Sequence, residues 1–327
     1  MRYIIYGAGA IGGTIGARLF QHGHEVILIA RGAHLETIKK NGLTFKTPLE
    51  SVQLPIPCFG RPSEIEFQPQ DAVFLAMKTQ HTLGALDDLR NAAGEDIPVI
   101  CAQNGVANER LALRRFSRVY AMVVMLPASH MEPGVVQSES KTTTGLLDTG
   151  CFPSGTDPVI EEVIETLSAS NFSSLADPKV MRYKYAKLLN NLNNALQALC
   201  GAGAEGRDIS RMITHEALAC YEAAGIDCAS RDEFASRRGD LIQVGTIEGQ
   251  PRAGSSSWQS IARGTGSIEA DYLNGEIVLL GRMHNVPTPA NKVLQRLANK
   301  LAREGAKPGS YTLDEIKKQI IEAGGAF

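Results

Sequence analysis

Lys187, Asn191 and Asn194 stand at i, i+4 and i+7 in the segment Tyr183-Lys-Tyr-Ala-Lys-Leu-Leu-Asn-Asn-Leu-Asn-Asn-Ala-Leu-Gln-Ala-Leu199. A helix would place all three on one face. Leu188, Leu189, Leu192, Leu196 and Leu199 take the other side as an apolar stripe. No Asp or Glu occurs from residue 179 to residue 204, whereas an ordinary solvated face mixes in Glu for propensity and i,i+4 pairing. Each Asn costs a helix roughly 0.5 kcal/mol against Ala, so asparagines at 190, 191, 193 and 194 need a reason. A wall that binds a polar, anionic small molecule beside a lysine ammonium supplies one.

Other polar groups could share that chemistry. The apolar run Pro98–Ala102 ends at Gln103-Asn104-Gly105; this is ordinary turn chemistry, or it puts Asn104 at the end of a strand where an open sheet binds ligands. Asp71–Met77 ends likewise at Lys78-Thr79-Gln80, which makes Lys78 and Gln80 candidates for touching a cofactor. Ser255, Ser256 and Ser257 precede Trp258; they can cap a helix or hold a carboxylate. Glu269 and Asp271 lie near a helix start, where carboxylates favour the dipole and where one could also serve catalysis.

The element that must face these groups opens the chain. A short apolar run at 2–6 leads into Gly7-Ala-Gly-Ala-Ile-Gly-Gly13, a helical stretch to Gln21, and a second apolar run Glu25–Ala30. Strand, glycine turn, helix and strand within about thirty residues is the context of the dinucleotide fingerprint. Gly7, Ala8, Gly9, Ala10, Ile11 and Gly12 are therefore expected to cradle a pyrophosphate at a helix N-terminus. Where an NAD site carries an acid for the ribose 2′-hydroxyl, this chain has Ala30-Arg31-Gly32. Arg31 fits a 2′-phosphate, so the expected cofactor is NADP(H); solvation at a strand end is the plainer alternative for that arginine.

The chain has 327 residues, a net charge of −2, 43% hydrophobic and 21% charged residues. That suffices for two domains with ample core and gives no electrostatic case for a nucleic-acid or membrane partner. The N-terminal apolar run is too short for a signal segment. The six cysteines are scattered without a C-x-x-C pair, which points to reduced thiols in the cytoplasm. Cys220 and Cys228 lack a supporting His or carboxylate cluster, so no metal site is expected. Strands are expected at 118–127, at 134–139 with 142–147 as a meander closing the sheet, and at 171–176 as an edge; 161–168 is helical. Helices are expected at 180–200, 208–224, 231–243, 267–284, 289–304 and 312–322, with the longest loop at 244–257. The fold class expected is an α/β Rossmann-type domain over 1–178 followed by an all-helical domain over 179–327.

Together these motifs resemble the ketopantoate reductase (2-dehydropantoate 2-reductase) family. The resemblance rests on the N-terminal glycine run, Gln-Asn-Gly at 103–105, Lys-Leu-x-x-Asn at 187–191, the serines at 255–257 and Glu-x-Asp-Tyr-Leu-Asn-Gly at 269–275. It spans residues 1 to about 300 in the family's order. It implies an active site in a cleft between two domains and NADPH reduction of a 2-oxo acid, most directly ketopantoate to pantoate, in pantothenate biosynthesis. It implies Lys187 as proton donor, with Asn191, Asn194 and Ser256 binding substrate. Asn104 would bind cofactor and substrate, and Glu269 would complete the catalytic polar network. Arg31 and Lys78 would hold the cofactor, with Ala128 a backbone contact. A homodimer through the helical domain is also an expectation. Three departures bear on the substrate: Ala195 stands where the family has its second asparagine, Ser260 replaces an Asp, and Leu126–Pro133 differs from the family's Thr-Thr-His-Ala stretch. A relative acting on another 2-oxo acid or an imine, and a non-catalytic NADP(H)-sensing protein, are the rival readings.

Overall fold

A computed structural model describes residues 1–250 and 254–327. Its first unit comprises residues 1–103, 108–183 and 231–250; its second comprises 104–107, 184–230 and 254–327. The first unit is built on strands β1 (Arg2–Tyr6), β2 (Val26–Ile29), β3 (Leu43–Lys46), β4 (Ser51–Leu54), β5 (Cys58–Phe59), β6 (Asp71–Leu75), β7 (Val99–Cys101), β8 (Val119–Met125), β9 (Ala128–Ser129), β10 (Val135–Ser138) and β11 (Leu146–Cys151). Its helices are α1 (Ala10–Gln21), α2 (Gly32–Asn41), α3 (Thr82–Ala93), α4 (Asn108–Leu113) and α5 (Pro158–Ala169).

The main sheet runs β11-β8-β7-β6-β1-β2-β5. It is parallel except for β11, which pairs antiparallel with β8. Strand alternation explains why both faces are apolar. Tyr3 and Ile5 join a core with Ile15 and Leu19 of α1 and Ile160 and Val163 of α5. Ile4, between them, joins Leu86 and Leu89 of α3 on the other face. A parallel sheet needs such cover on both sides. Strand order reverses beside β1, whose neighbours are β2 and β6, and the crevice for a ligand lies at the carboxyl ends of strands flanking such a switch point.

The meander expected over 134–147 does not form. β10 instead pairs parallel with β3 and antiparallel with β9 in a separate sheet, β4-β3-β10-β9. Only β11 extends the main sheet. Residues 171–176 touch it through two isolated bridges, Leu146 to Ser173 and Thr149 to Ala176, rather than as a strand.

The second unit is helical. It holds most of α6 (Val180–Asn191), then α7 (Asn193–Cys200) and α8 (Arg207–Ala223); α9 (Arg231–Arg238) belongs to the first unit, and α10 (Ser256–Ala262), α11 (Asn274–His284), α12 (Pro289–Arg303) and α13 (Leu313–Glu322) complete the second. The helix expected over 180–200 is interrupted at Leu192, although φ −58° and ψ −31° there keep the helical course. The carbonyl of Leu192 accepts a hydrogen bond from Asn274 Nδ2 at 3.2 Å.

The chain order of the two units is not a single cut. Residues 231–250, expected to be helix and loop of the second domain, pack on the sheet unit. Arg237 makes a two-pronged pair with Asp148 of β11, and Arg182 another with Glu233. α9 ends early at Arg238, because Gly239 takes φ +45° and closes the helix with a bond to Ala235 O. The chain then runs beside residues 139–142, with Lys141 N donating to Gln243 O and Gly245 N to Glu139 O. Part of the loop expected over 244–257, residues 251–253, lies outside the described residues. Among the described residues no helix is long and apolar enough to cross a membrane.

Candidate active site

The glycine turn after β1 is shaped by close approach. Gly7 takes φ +104°, and a Cβ there would lie 2.6 Å from the backbone nitrogen of Met77, so only glycine lets the turn pass the end of β6. Gly12 is equally hemmed in, by Ile5 and Ala76. Gly9 differs: it is the N-cap of α1, and a Cβ there would meet nothing within 4 Å. The α1 N-terminus has no side-chain cap and no acid in its first turn. Its N–H groups and positive dipole end are suited to phosphate oxygens, so these residues fit a dinucleotide. Arg31 is the exposed N-cap of α2, directly after β2, where a ribose substituent would be read.

Lys78 follows β6 and leads into a 3₁₀ turn, Thr79–His81. A buried polar group that the sequence did not single out holds this turn. Gln103 Nε2 donates to Met77 O at 2.9 Å and to Thr82 Oγ1 at 2.8 Å. Thr82 Oγ1 donates to Asn108 Oδ1, whose amide donates to Thr79 Oγ1. Gln103 thus anchors the carboxyl end of β6, while its neighbour Asn104 belongs to the second unit. There the next residue, Gly105, lies against the Tyr272 carbonyl, which would be 3.0 Å from a Cβ. Ala128 is on β9, paired with Ser138 of β10.

In the second unit, Lys187 Nζ donates to Asn191 Oδ1 at 2.9 Å. An ammonium can only donate, so the Asn191 oxygen must face it and the amide NH₂ must point elsewhere. Asn191 is 5% exposed, and its Nδ2 has no hydrogen-bond partner among the described residues. A buried donor left this way costs about 1–3 kcal/mol, and it is suited to an oxygen of a bound acid. Two other asparagines of the stripe are explained otherwise: Asn193 Oδ1 accepts from Ser210 Oγ at 2.6 Å, and Asn190 is exposed. Asn194 is tied to the serine element through its own carbonyl, which accepts from Ser255 Oγ at 3.4 Å.

The three serines separate by role. Ser255 caps α10, accepting from Trp258 N. Ser256 Oγ is buried without a partner among the described residues. Ser257 is buried at 2% exposure. Ser260 Oγ donates to Ser256 O. The two acids separate as well. Asp271 is exposed and accepts from Gln295 Nε2 and Asn299 Nδ2 of α12. Glu269 is 4% exposed, in a 3₁₀ turn, Glu269–Tyr272, that splits the helix expected over 267–284. Among the described residues no group of three or more His, Cys, Asp or Glu could hold a metal ion.

Residues 3–150 match the family described as ketopantoate reductase PanE/ApbA, and residues 179–302 match its C-terminal counterpart. The 2-dehydropantoate 2-reductase of Pyrococcus horikoshii is 27% identical over 95% of this chain and 100% of its own. A crystal structure of a PanE/ApbA family ketopantoate reductase from Ralstonia eutropha is 30% identical, with TM-score 0.77, covering 93% of this chain and 99% of that one. D-mandelate dehydrogenase, solved with NADH and anilino(oxo)acetate, shares the fold at TM-score 0.80 and 23% identity, over 93% of this chain and 99% of its own.

Proposed function

The chain belongs to the ketopantoate reductase PanE/ApbA family, and on that premise we propose that it is an NAD(P)H-dependent oxidoreductase reducing a 2-oxo acid to a 2-hydroxy acid, with NADPH as coenzyme and ketopantoate as substrate. The observation that carries this reading is the Lys187–Asn191 pair, with a buried Asn191 donor and a buried Ser256 hydroxyl left for a ligand.

Gly7, Ala8, Gly9, Ala10, Ile11 and Gly12 hold the pyrophosphate of the coenzyme, with Lys78 and Gln80 beside it and Ala128 as a backbone contact. Arg31 reads the 2′-phosphate. The coenzyme supplies hydride to the ketone carbon when bound. Lys187 Nζ stabilises the charge that develops on the carbonyl oxygen and transfers a proton to it. Asn191 keeps that ammonium oriented through its Oδ1 and turns its Nδ2 toward the substrate. Ser256 donates to the substrate carboxylate, with Asn194 alongside, and Asn104 and Glu269 complete the polar surround.

A second reading, reduction of a bulkier 2-oxo acid or an imine, is favoured by Ala195 and Ser260. Ala195 is small and buried, and Ser260 spends its hydroxyl on Ser256 O. One assay separates the readings: initial rates of coenzyme oxidation with ketopantoate and a panel of 2-oxo acids, each with NADPH and with NADH. Ketopantoate with NADPH should give the highest kcat/KM. A bulkier acid ahead by tenfold or so, about 1.4 kcal/mol, would transfer the assignment to the second reading. No oxidation with any 2-oxo acid would remove both and leave a coenzyme-binding protein.

A further inference from the structure

The Leu126–Pro133 stretch, which departs from the family pattern, carries a histidine that meets a second histidine from α2. The rings of His34 and His130 lie 4.2 Å apart between centroids, tilted by 46°. His34 also bridges two backbones. Gly134 N donates to its Nδ1 at 2.8 Å, and its Nε2 lies 2.7 Å from Ala8 O. Nδ1 is therefore an acceptor, so the ring is neutral and its proton sits on Nε2, where it is donated to Ala8. His130 carries a proton on Nδ1, which faces the Val135 carbonyl at 2.9 Å.

Both ends of this bridge are fixed. The Gly134 carbonyl accepts from Thr44 N of β3. Gly134 has φ +78°, and a Cβ there would collide with Thr37 of α2, so this turn sits directly against the helix carrying His34. Ala8 is 1% exposed, and its N–H donates to Ile29 O. The Ala8 carbonyl shares a planar trans peptide with the Gly9 N–H, and the two point in opposite directions. Pinning the carbonyl therefore sets where the Gly9 N–H points.

We propose that His34 is a positioning residue for the dinucleotide: as the Nε2–H tautomer it holds the Ala8 carbonyl against the β9–β10 turn and so presents the Gly9 N–H to the pyrophosphate. This rests on the glycine turn being the coenzyme site, and parent chain that bound neither NADP+ nor NAD+ would overturn that reading and this one with it.

The two amide replacements divide the bridge. In His34→Gln the side-chain NH₂ reaches the place of Nε2 and can still donate to Ala8. In His34→Asn the amide oxygen takes the place of Nδ1 and keeps Gly134 but releases Ala8. Calorimetric titration of NADP+ into the apo full-length chain should give a Kd raised about tenfold for His34→Asn, roughly the loss of one hydrogen bond, with kcat at saturating coenzyme unchanged. His34→Gln should bind within about twofold of the parent, and it keeps the comparison decisive if the Asn variant folds poorly. An Asn variant that binds like the parent would overturn the proposal. So would equal weakening in both variants, which would assign the effect to ring packing on His130.

Discussion

Ser255 and Ser256 are adjacent, identical in type and different in use. The first spends its hydroxyl on the α10 N-terminus, accepting from Trp258 N; the second has a buried hydroxyl with no partner among the described residues. Ser255→Ala should lower stability by about 1 kcal/mol, the usual loss for a cap, as read by chemical denaturation. Ser256→Ala should raise the KM for the 2-oxo acid severalfold and leave stability nearly unchanged. A reversed pattern would reassign the two hydroxyls. Residue type by itself left these serines equivalent, because capping and carboxylate binding ask for the same kind of side chain. It likewise offered Glu269 and Asp271 together, and burial with the bonds from α12 is what separates them. The contact between Lys187 and Asn191 was legible from the start, since it is a helical repeat within one segment.

Among the elements, α12 is held from outside. Its N-cap, Thr288, makes no side-chain cap bond. Glu216 of α8 supplies the missing acceptors, taking Ala290 N at 2.8 Å, Asn291 N at 2.9 Å and Asn291 Nδ2 at 2.7 Å. Asn291 Oδ1 in turn accepts from Asn274, which also holds the Leu192 carbonyl where α6 gives way to α7. Periodicity found these helices, but it could not find the interruption or the cap, which depend on residues 82 and 74 positions away. Burial pushes the Glu216 carboxyl above the ordinary glutamate range, against the N–H bonds that pull it down. The folded chain thus keeps this proton at pH values where the unfolded chain has released it. The group's contribution is greatest below the ordinary glutamate range and declines as pH rises through the folded value. Glu216→Gln should cost about 1–3 kcal/mol, because one accepting oxygen becomes a donor facing donors. In urea denaturation that deficit should be larger near pH 4.5 than near pH 7.5, since Gln does not titrate. A deficit that grows with pH would contradict this account of Glu216.

For the whole molecule, the glycine turn, the parallel sheet and the helical C-terminal region were readable because each is written in contiguous sequence. The exchange of short segments was not. Residues 104–107 join the helical unit and 231–250 join the sheet unit, the latter through Arg237 and Asp148, 89 positions apart. A linear reading sees only chain order, so it places one boundary where the contacts place several. Asn104, Lys187, Asn191, Ser256 and Glu269, to which a substrate and catalytic role is proposed, all belong to the second unit, and the glycine turn, Arg31 and Lys78 to the first. Coenzyme affinity and proton transfer should therefore separate on mutation. The most direct test is Lys187→Ala, with NADPH affinity measured by titration and kcat measured with the best 2-oxo acid. The expected result is a fall in kcat of at least ~100-fold, as for loss of a general acid, with NADPH bound as in the parent. Near-normal turnover in that variant would contradict the assignment of Lys187 as proton donor.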